Sequence, residues 1–465
     1  MPALAYVGCV EIAAHDADTV YVAATRYKLA DYEAYLFRTK DGGVTWQSIN
    51  GNFPEGEITR VVRADPVCPG LLFVGTETGV FFTADDGANW ARLPGGFPVV
   101  PVYDLKIKDG DLIAGTHGRS FWILDDITPL RSLAGGVSGA TLLPPRPAVR
   151  TKLHFGALGS VKPGTTFALA FGIGGGITTH VQPDGSRRRE YLDIGENPPQ
   201  GALVHYWLDA AAPVTLTFKD AEGAEIASVR SDDTSVGIAK RPTARAGLNR
   251  YVWEMKYPGP EKIDASLFTQ KVNALVNDPD SAAGPTVVPG SFTVELSVGG
   301  TVQCVPLSVV KDPRLSTTPE AYRAQLVLLQ TLNAAIGRGH AAVNRIRHLK
   351  RQLTALSDRL GADTALAPAI QGATTSLGSV EGVLVDVHRV SPRDTLRNAS
   401  GLTDTLAAMV AYVSISDNRP TTQGEALSTE LITTLDGELA RLDAIIATDI
   451  AAINNATGNA PQIGG

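Results

Sequence analysis

The pattern Thr39-x-Asp41-x-Gly43-x-Thr45-Trp46 returns as Thr83-x-Asp85-x-Gly87-x-Asn89-Trp90. In each case a strand-like run precedes it (AYLFRT, then FFT) and another follows, so each copy reads as a hairpin. The aspartate at its head can accept backbone N–H groups of the turn that follows. Glycine tolerates the positive φ such turns demand. The tryptophan brings a large apolar surface that can pin the hairpin to a neighbour. A third, diverged copy appears when LLFVGTETGVFFTADDG (71–87) is set over DLIAGTHGRSFWILDDI (111–127): Asp125 is kept, while the glycine and tryptophan are lost. Strand-rich units recurring at roughly 40–44 residues constrain the first third of the chain to sheets stacked side by side, as in propeller blades.

The two hairpins resemble the Asp-box of bacterial neuraminidase (BNR) repeats, found in sialidase-like and sortilin-like propellers. YVAATRYKL, RVVRADP, GLLFVGTETGVFFTADDGANW and GTHGRSFWILDDITPLR are similar to the end of the propeller in large bacterial proteins described as BNR-repeat glycosyl hydrolases or sortilin-like. The likeness continues through NPPQGALVHYWL, GLNRYVWEMKYPGP and PGSFTVELSVGG. It implies a partial β-propeller of about three blades over residues 1–132. Three blades do not close a ring. The resemblance therefore implies a C-terminal fragment of a larger bacterial protein, with missing blades or self-association at the N-terminal edge. It also implies a periplasmic or secreted location for the full-length protein, although MPALAYVGCVEIAAHD has no signal-peptide pattern.

Further along, 133–200 reads as a connector carrying a glycine-rich loop (FGIGGGITTHVQPDG). From 201 to 314, alternating runs such as ALVHYWL, VTLTFKD, NRYVWEMKY and SFTVELSVGG predict an antiparallel sandwich of the immunoglobulin or fibronectin III kind, with Trp207, Tyr251 and Trp253 in its core. The period then changes. Thr317 and Glu320 suggest a capping box, and Leu329, Leu332, Ile336, Val343, Ile346 and Leu349 form one helical stripe. Residues 315–456 are expected to be a helical bundle, with further helices at about 365–390, 402–416 and 422–454, and 457–465 a disordered tail. The whole is multidomain and mainly β.

Composition narrows the function. Lys and Arg number 41 against 48 Asp and Glu, a net charge of -7 that argues against a nucleic-acid partner. No run reaches the roughly 18 apolar residues of a membrane span. Three separated cysteines form no metal-ligand spacing and no disulfide framework, leaving a Cys9–Cys68 bridge open. GIGGG lacks the Lys-Ser/Thr of a phosphate loop, and no cofactor or metal motif is present.

Candidate ligand contacts come from the repeats. VGTETG and AGTHGRS belong to strands expected beside the propeller channel, which brings forward Glu77, His117 and Arg119, with Arg26 of the first repeat. Arginine grips carboxylates bidentately, and Glu or His can transfer protons. The plainer reading has Thr, His and Arg bonding backbone groups between sheets. Asp41, Gly43, Trp46, Asp85, Gly87 and Trp90 are read as scaffold. A sialidase would need an arginine triad, a Tyr–Glu nucleophile and an Asp acid, and the sequence does not match that set. The expectation is a binding or scaffolding protein for a protein, peptide or glycan ligand. The alternative is a glycoside hydrolase whose active site is incomplete in this chain.

Overall fold

A computed structural model describes residues 1–151, 163–170, 173–181, 187–192, 195, 198–264, 283–361, 365–388, 397–457 and 463–464. Three antiparallel meanders open the chain. The first is β1 (Tyr6–Ile12), β2 (Val20–Arg26), β3 (Asp31–Thr39) and β4 (Gln47–Ser48). The second is β5 (Thr59–Ala64), β6 (Leu72–Thr76), β7 (Val80–Thr83) and β8 (Ala91–Arg92). The third is β9 (Val102–Lys108), β10 (Asp111–Thr116) and β11 (Phe121–Leu124).

The middle sheet is buried on both faces, because successive side chains of a strand point to opposite sides. Val62, Ala64, Leu72, Val74 and Phe81 join Tyr21, Ala23, Leu36, Ile49 and Trp90 in one core. Val61, Leu71, Phe73 and Val80 join Val102, Leu105, Leu112, Ala114 and Ile127 in another. Gly75 sits where a Cβ would meet Val61 and Val102 at under 3 Å, so only glycine fits between the second and third sheets. The flanking sheets keep apolar residues in water: Ile12 is 62% exposed on β1 and Phe121 is 77% exposed on β11. Cys9, Cys68 and Cys304 are free thiols.

After α1 (Thr128–Ala134) come β12 (Ala140–Leu142) and β13 (Ala148–Arg150). Next are β14 (Gly164–Ala170), β15 (Ile173–Val181) and β16 (Arg187–Tyr191), which form a three-stranded sheet where the sequence suggests a glycine-rich loop. Phe167 pairs with Gly176 and Leu169 with Gly174. Glycine weakens strand propensity, yet the ladder needs only backbone N–H and C=O, which is why composition misleads here. Then follow β17 (Ala202–Leu208), β18 (Val214–Lys219), β19 (Glu225–Arg230), β20 (Gly247–Trp253), β21 (Gly290–Val298) and β22 (Thr301–Lys311). They make a sheet β12-β17-β20 and a sheet β13-β22-β21-β18-β19, antiparallel except for β13 with β22. Both sheets feed one core, in which Trp253 stacks on Phe218 at 4.4 Å. Trp207, expected in that core, is only half-buried and donates its indole N–H to Asp209.

The helices are α2 (Pro319–Leu360), α3 (Ala367–Leu384), α4 (Leu402–Ser414) and α5 (Thr422–Ile445), which runs on through a π-turn into α6 (Ala451–Thr457). The N-cap of α2 is Thr318, whose hydroxyl accepts from Ala321 N–H at 3.3 Å; Thr317, the expected cap, donates instead to the Asp417 carbonyl. Of the expected disordered tail, residues 458–462 and 465 lie outside the described residues. Ile463 is buried in the helical core, its N–H and C=O both held by Asn454 at 2.8 Å.

Several polar contacts join these regions, among them an ion pair of Arg146, between β12 and β13, with Asp111 of β10 at 2.5 Å. Arg150 of β13 and Asp417 are buried together, Nε and Nη2 meeting the carboxylate at 3.2 and 2.8 Å. The same guanidinium donates to the Val287 carbonyl and to Gln325 of α2, and lies 4.8 Å from the Tyr322 ring. Between the third sheet and β17, His205 Nδ1 lies 3.7 Å from Asp126 Oδ2. Burial pulls the His205 pKa down to about 4 from 6.5, with Arg250 and Arg146 adding to the fall and Asp126 opposing it.

Removing one partner of a buried pair strands the other charge. We therefore expect Arg150→Met to cost about 3–5 kcal/mol in urea unfolding, and Asp417→Leu added to it to recover part of the loss. For His205 the folded pKa lies below the unfolded one, so the unfolded chain binds the proton first. Stability is full above about pH 6.5 and falls as pH drops toward about 4. His205→Gln should flatten that slope when unfolding midpoints are compared across the window.

Candidate functional site

The two repeated hairpins close with the same pattern of bonds. Asp41 accepts from Thr45 N–H at 2.8 Å, from the Thr45 hydroxyl at 2.6 Å and from the Thr39 hydroxyl at 2.7 Å; Gly43 N–H returns to Thr39. Asp85 accepts from Asn89 N–H at 2.8 Å, from Asn89 Nδ2 at 2.6 Å and from Thr83 at 2.7 Å; Gly87 N–H returns to Thr83. Gly43 and Gly87 take φ of 97° and 93°, a left-handed backbone that a side chain would strain. The Thr45 hydroxyl and N–H hold the Asp41 carboxyl down at about 2. Trp90 is buried and donates to the Ile49 carbonyl of the preceding sheet, whereas Trp46 stays half-exposed and turns back to Gly43. Asp125, the diverged third position, carries a carboxyl raised by burial and by Asp111, close to Arg146 and Arg250.

Four candidate residues lie where the second strand of each meander turns into the third. Threonine precedes that turn each time, as Thr25, Thr76 and Thr116, and its hydroxyl oxygen accepts a turn N–H from Tyr27, Thr78 and Arg119 respectively. This equivalence sets Arg26, Glu77 and His117 at the same place in three successive sheets. Glu77 N–H and His117 N–H then bond the carbonyls of Ile58 and Pro101, just before the first strands of their own sheets.

The centre of the cluster is a residue the sequence did not bring forward. Arg60, on β5, pairs with Glu77, its Nε reaching Oε1 at 2.5 Å. Its guanidinium lies 4.7 Å from the Tyr27 ring and 4.9 Å from the Tyr103 ring. Tyr103 in turn packs on His117, centroids 5.0 Å apart. Tyr27, Arg60, Tyr103 and His117 thus run in contact from the first meander to the third, with the Arg60 guanidinium between the two tyrosine rings. Arg26 is held by Asp31 at 2.8 Å, and Asp31 also accepts from the Tyr35 hydroxyl at 2.7 Å, a bond that lowers the carboxyl and raises the phenol. Arg119 is exposed and has no ion-pair partner among the described residues.

Acid–base hydrolysis of a glycoside needs two carboxyls about 5–10 Å apart, one of them able to donate a proton. Here Glu77 is engaged by Arg60, and Asp31 by Arg26 and Tyr35. Among the described residues, the carboxyl shifted upward is Asp125, which belongs with Asp111, Arg146 and Arg250 rather than with this cluster. No group of three or more His, Cys, Asp or Glu side chains suited to a metal occurs among the described residues, and none of the described helices is long and apolar enough to cross a membrane. What the cluster offers is a rim of exposed ring faces and a free cation, suited to holding a ligand.

No protein-family model matches the sequence, and no curated protein matches it. Among solved structures, YCF48 bound to a D1 peptide aligns at 12% identity over 66% of this chain and 67% of its own, with a TM-score of 0.21. The GH74 xyloglucanase of Xanthomonas campestris aligns at 16% identity over 65% of this chain, TM-score 0.22, and an ancestral GH74 enzyme at 13% over 64%, TM-score 0.22. The alignments span 38% and 54% of those two enzymes. Superpositions this loose decide neither fold nor chemistry.

Arg60→Ala would unpair a part-buried carboxylate and remove two ring contacts. It should cost about 1–3 kcal/mol in chemical denaturation, while Arg119→Ala, exposed and unpaired, should stay within about 0.5 kcal/mol of the parent.

Proposed function

We propose that the chain is a binding or scaffolding module of the BNR-repeat propeller type. Residues 1–132 are three blades, 201–314 a sandwich of the immunoglobulin or fibronectin III kind, and 315–456 a helical domain. The ligand, a protein segment, peptide or glycan, lies along the rim made by Arg26, Tyr27, Tyr103, His117 and Arg119. One observation carries this reading over hydrolysis: Arg60 stands closed between two tyrosines on Glu77, so the carboxylate best placed for catalysis is already neutralised. Exposed aromatic faces beside a free guanidinium suit recognition of sugar rings or peptide side chains.

The test sets the chain on peptide and glycan arrays and, in parallel, in a panel of fluorogenic glycosides. We expect array binding that falls about tenfold in Tyr103→Ala and in Arg119→Ala, and no turnover. Glycoside hydrolysis that disappears in Glu77→Gln would overturn the reading in favour of a glycoside hydrolase.

A further inference from the structure

This chain repeatedly uses a side-chain amide as a two-point clasp on extended backbone. Asn50 donates to the Ala34 carbonyl at 2.6 Å and accepts from Leu36 N–H at 2.9 Å. Gln303 does the same with Ala140 and Leu142, at 2.6 and 2.9 Å. Asn454 holds both groups of Ile463. On α2, Asn344 donates to the Lys262 carbonyl at 3.1 Å and accepts from Asp264 N–H at 2.9 Å. That last clasp helps dock the segment 261–264 on the helix, together with His340 Nδ1, which donates to the Glu261 carbonyl at 2.6 Å.

Asn333 lies about three turns earlier on nearly the same face of α2. It is only 7% exposed, and neither its Oδ1 nor its Nδ2 has a hydrogen-bond partner. Each unmet group in such a place keeps its full desolvation penalty, and native buried amides are nearly always paired. Asn333 lines a cavity of about 360 Å³ together with Tyr257, Pro258, Pro260, Pro285 and Gln330. The three prolines have no N–H, which explains why the surrounding chain leaves the amide oxygen unmet.

We propose that this cavity is a peptide-binding site in which Asn333 clasps the C=O and N–H of an extended segment, as Asn344 clasps Lys262 and Asp264. The ligand class is an extended peptide with a free backbone N–H, its apolar side chain packing on Tyr257 and the prolines. Both amide atoms are shielded from water as the chain stands, so entry of the peptide requires the Tyr257–Pro260 segment to draw back. This site is separate from the tyrosine–arginine rim and is tested by different variants, so either can fail alone.

The experiment titrates the full chain with a panel of blocked tripeptides, N-acetyl and N-methylamide capped, with Val, Leu, Phe or Lys at the centre. A matched panel carries an N-methylated central residue. Binding is followed through the side-chain amide resonances of ¹⁵N-asparagine-labelled protein. We expect at least one free-amide peptide to bind in the millimolar range or tighter and to shift the Asn333 side-chain signal. The N-methylated partner should bind about tenfold more weakly, and Asn333→Leu should weaken the free-amide peptide by a similar factor. Equal binding of the methylated peptide, unchanged binding to Asn333→Leu, or no binding of any peptide overturns the proposal. The methylation comparison uses unaltered protein, so it decides the question even if Asn333→Leu does not fold.

Discussion

The N-terminal half depends on a sheet that must be covered twice. Residues 71–74, Leu-Leu-Phe-Val, are all buried, alternate members packing toward the first and third sheets. A strand of that composition has no solvent face, so it is stable only between two neighbours. Arg63 fixes the spacing on both sides. Its guanidinium reaches Cys9 Sγ at 2.8 Å and Glu11 at 3.3 Å on β1, and Leu105 O and Asp104 at 2.7 Å on β9. A single side chain therefore ties three sheets together near their first strands. The flanking sheets lack that second cover among the described residues, which is why β1 and β11 carry their apolar residues outward.

That stacking creates the rim. Because three meanders repeat the same strand order, their equivalent turns fall side by side, and residues far apart in sequence become neighbours. Tyr27 follows β2, Arg60 lies on β5 and Tyr103 on β9, and the guanidinium between two rings acts as a wedge between the meanders as well as a charge. The ion pair to Glu77 is part-exposed, so its worth lies in orientation more than in strength. Holding Arg60 in place keeps the Tyr103 ring against His117 and open to solvent on its remaining surface. Stability and recognition thus share one set of side chains, while Arg119 enters the structural bonds through its backbone and leaves its guanidinium without an ion pair among the described residues.

What could be read from the sequence follows the range of the interactions. The Asp41 and Asp85 turns are local: the named bonds to each aspartate close within four residues, so the motif specifies the turn. The equivalence of Glu77 and His117 was legible because 71–87 could be set over 111–127, whereas that of Arg26 emerges from the matching threonine turns. Arg60 was not, since nothing in TRVVRA separates a cation destined for two rings from a solvated one; its partners arrive from 33 and 43 residues away. The same holds for Arg150, whose carboxylate lies 267 residues on. Trp46 and Trp90 share a motif yet differ in burial, because burial is set by the adjoining sheet and not by the hairpin. The strands β14–β16 were missed for the opposite reason: glycine suppressed a local signal that backbone pairing did not need.

Two of the inter-region contacts differ in kind. Arg150 and Asp417 are saturated: six guanidinium contacts, to a carboxylate, two carbonyls, an amide and a ring, leave no low-cost alternative for either charge. His205 and Asp126 are under-bonded. Asp126 spends Oδ1 on Thr128, leaving Oδ2 buried without a hydrogen bond at 3.7 Å from a histidine that burial keeps neutral. A saturated contact resists separation until the chain unfolds, whereas an under-bonded one gives up little when it opens.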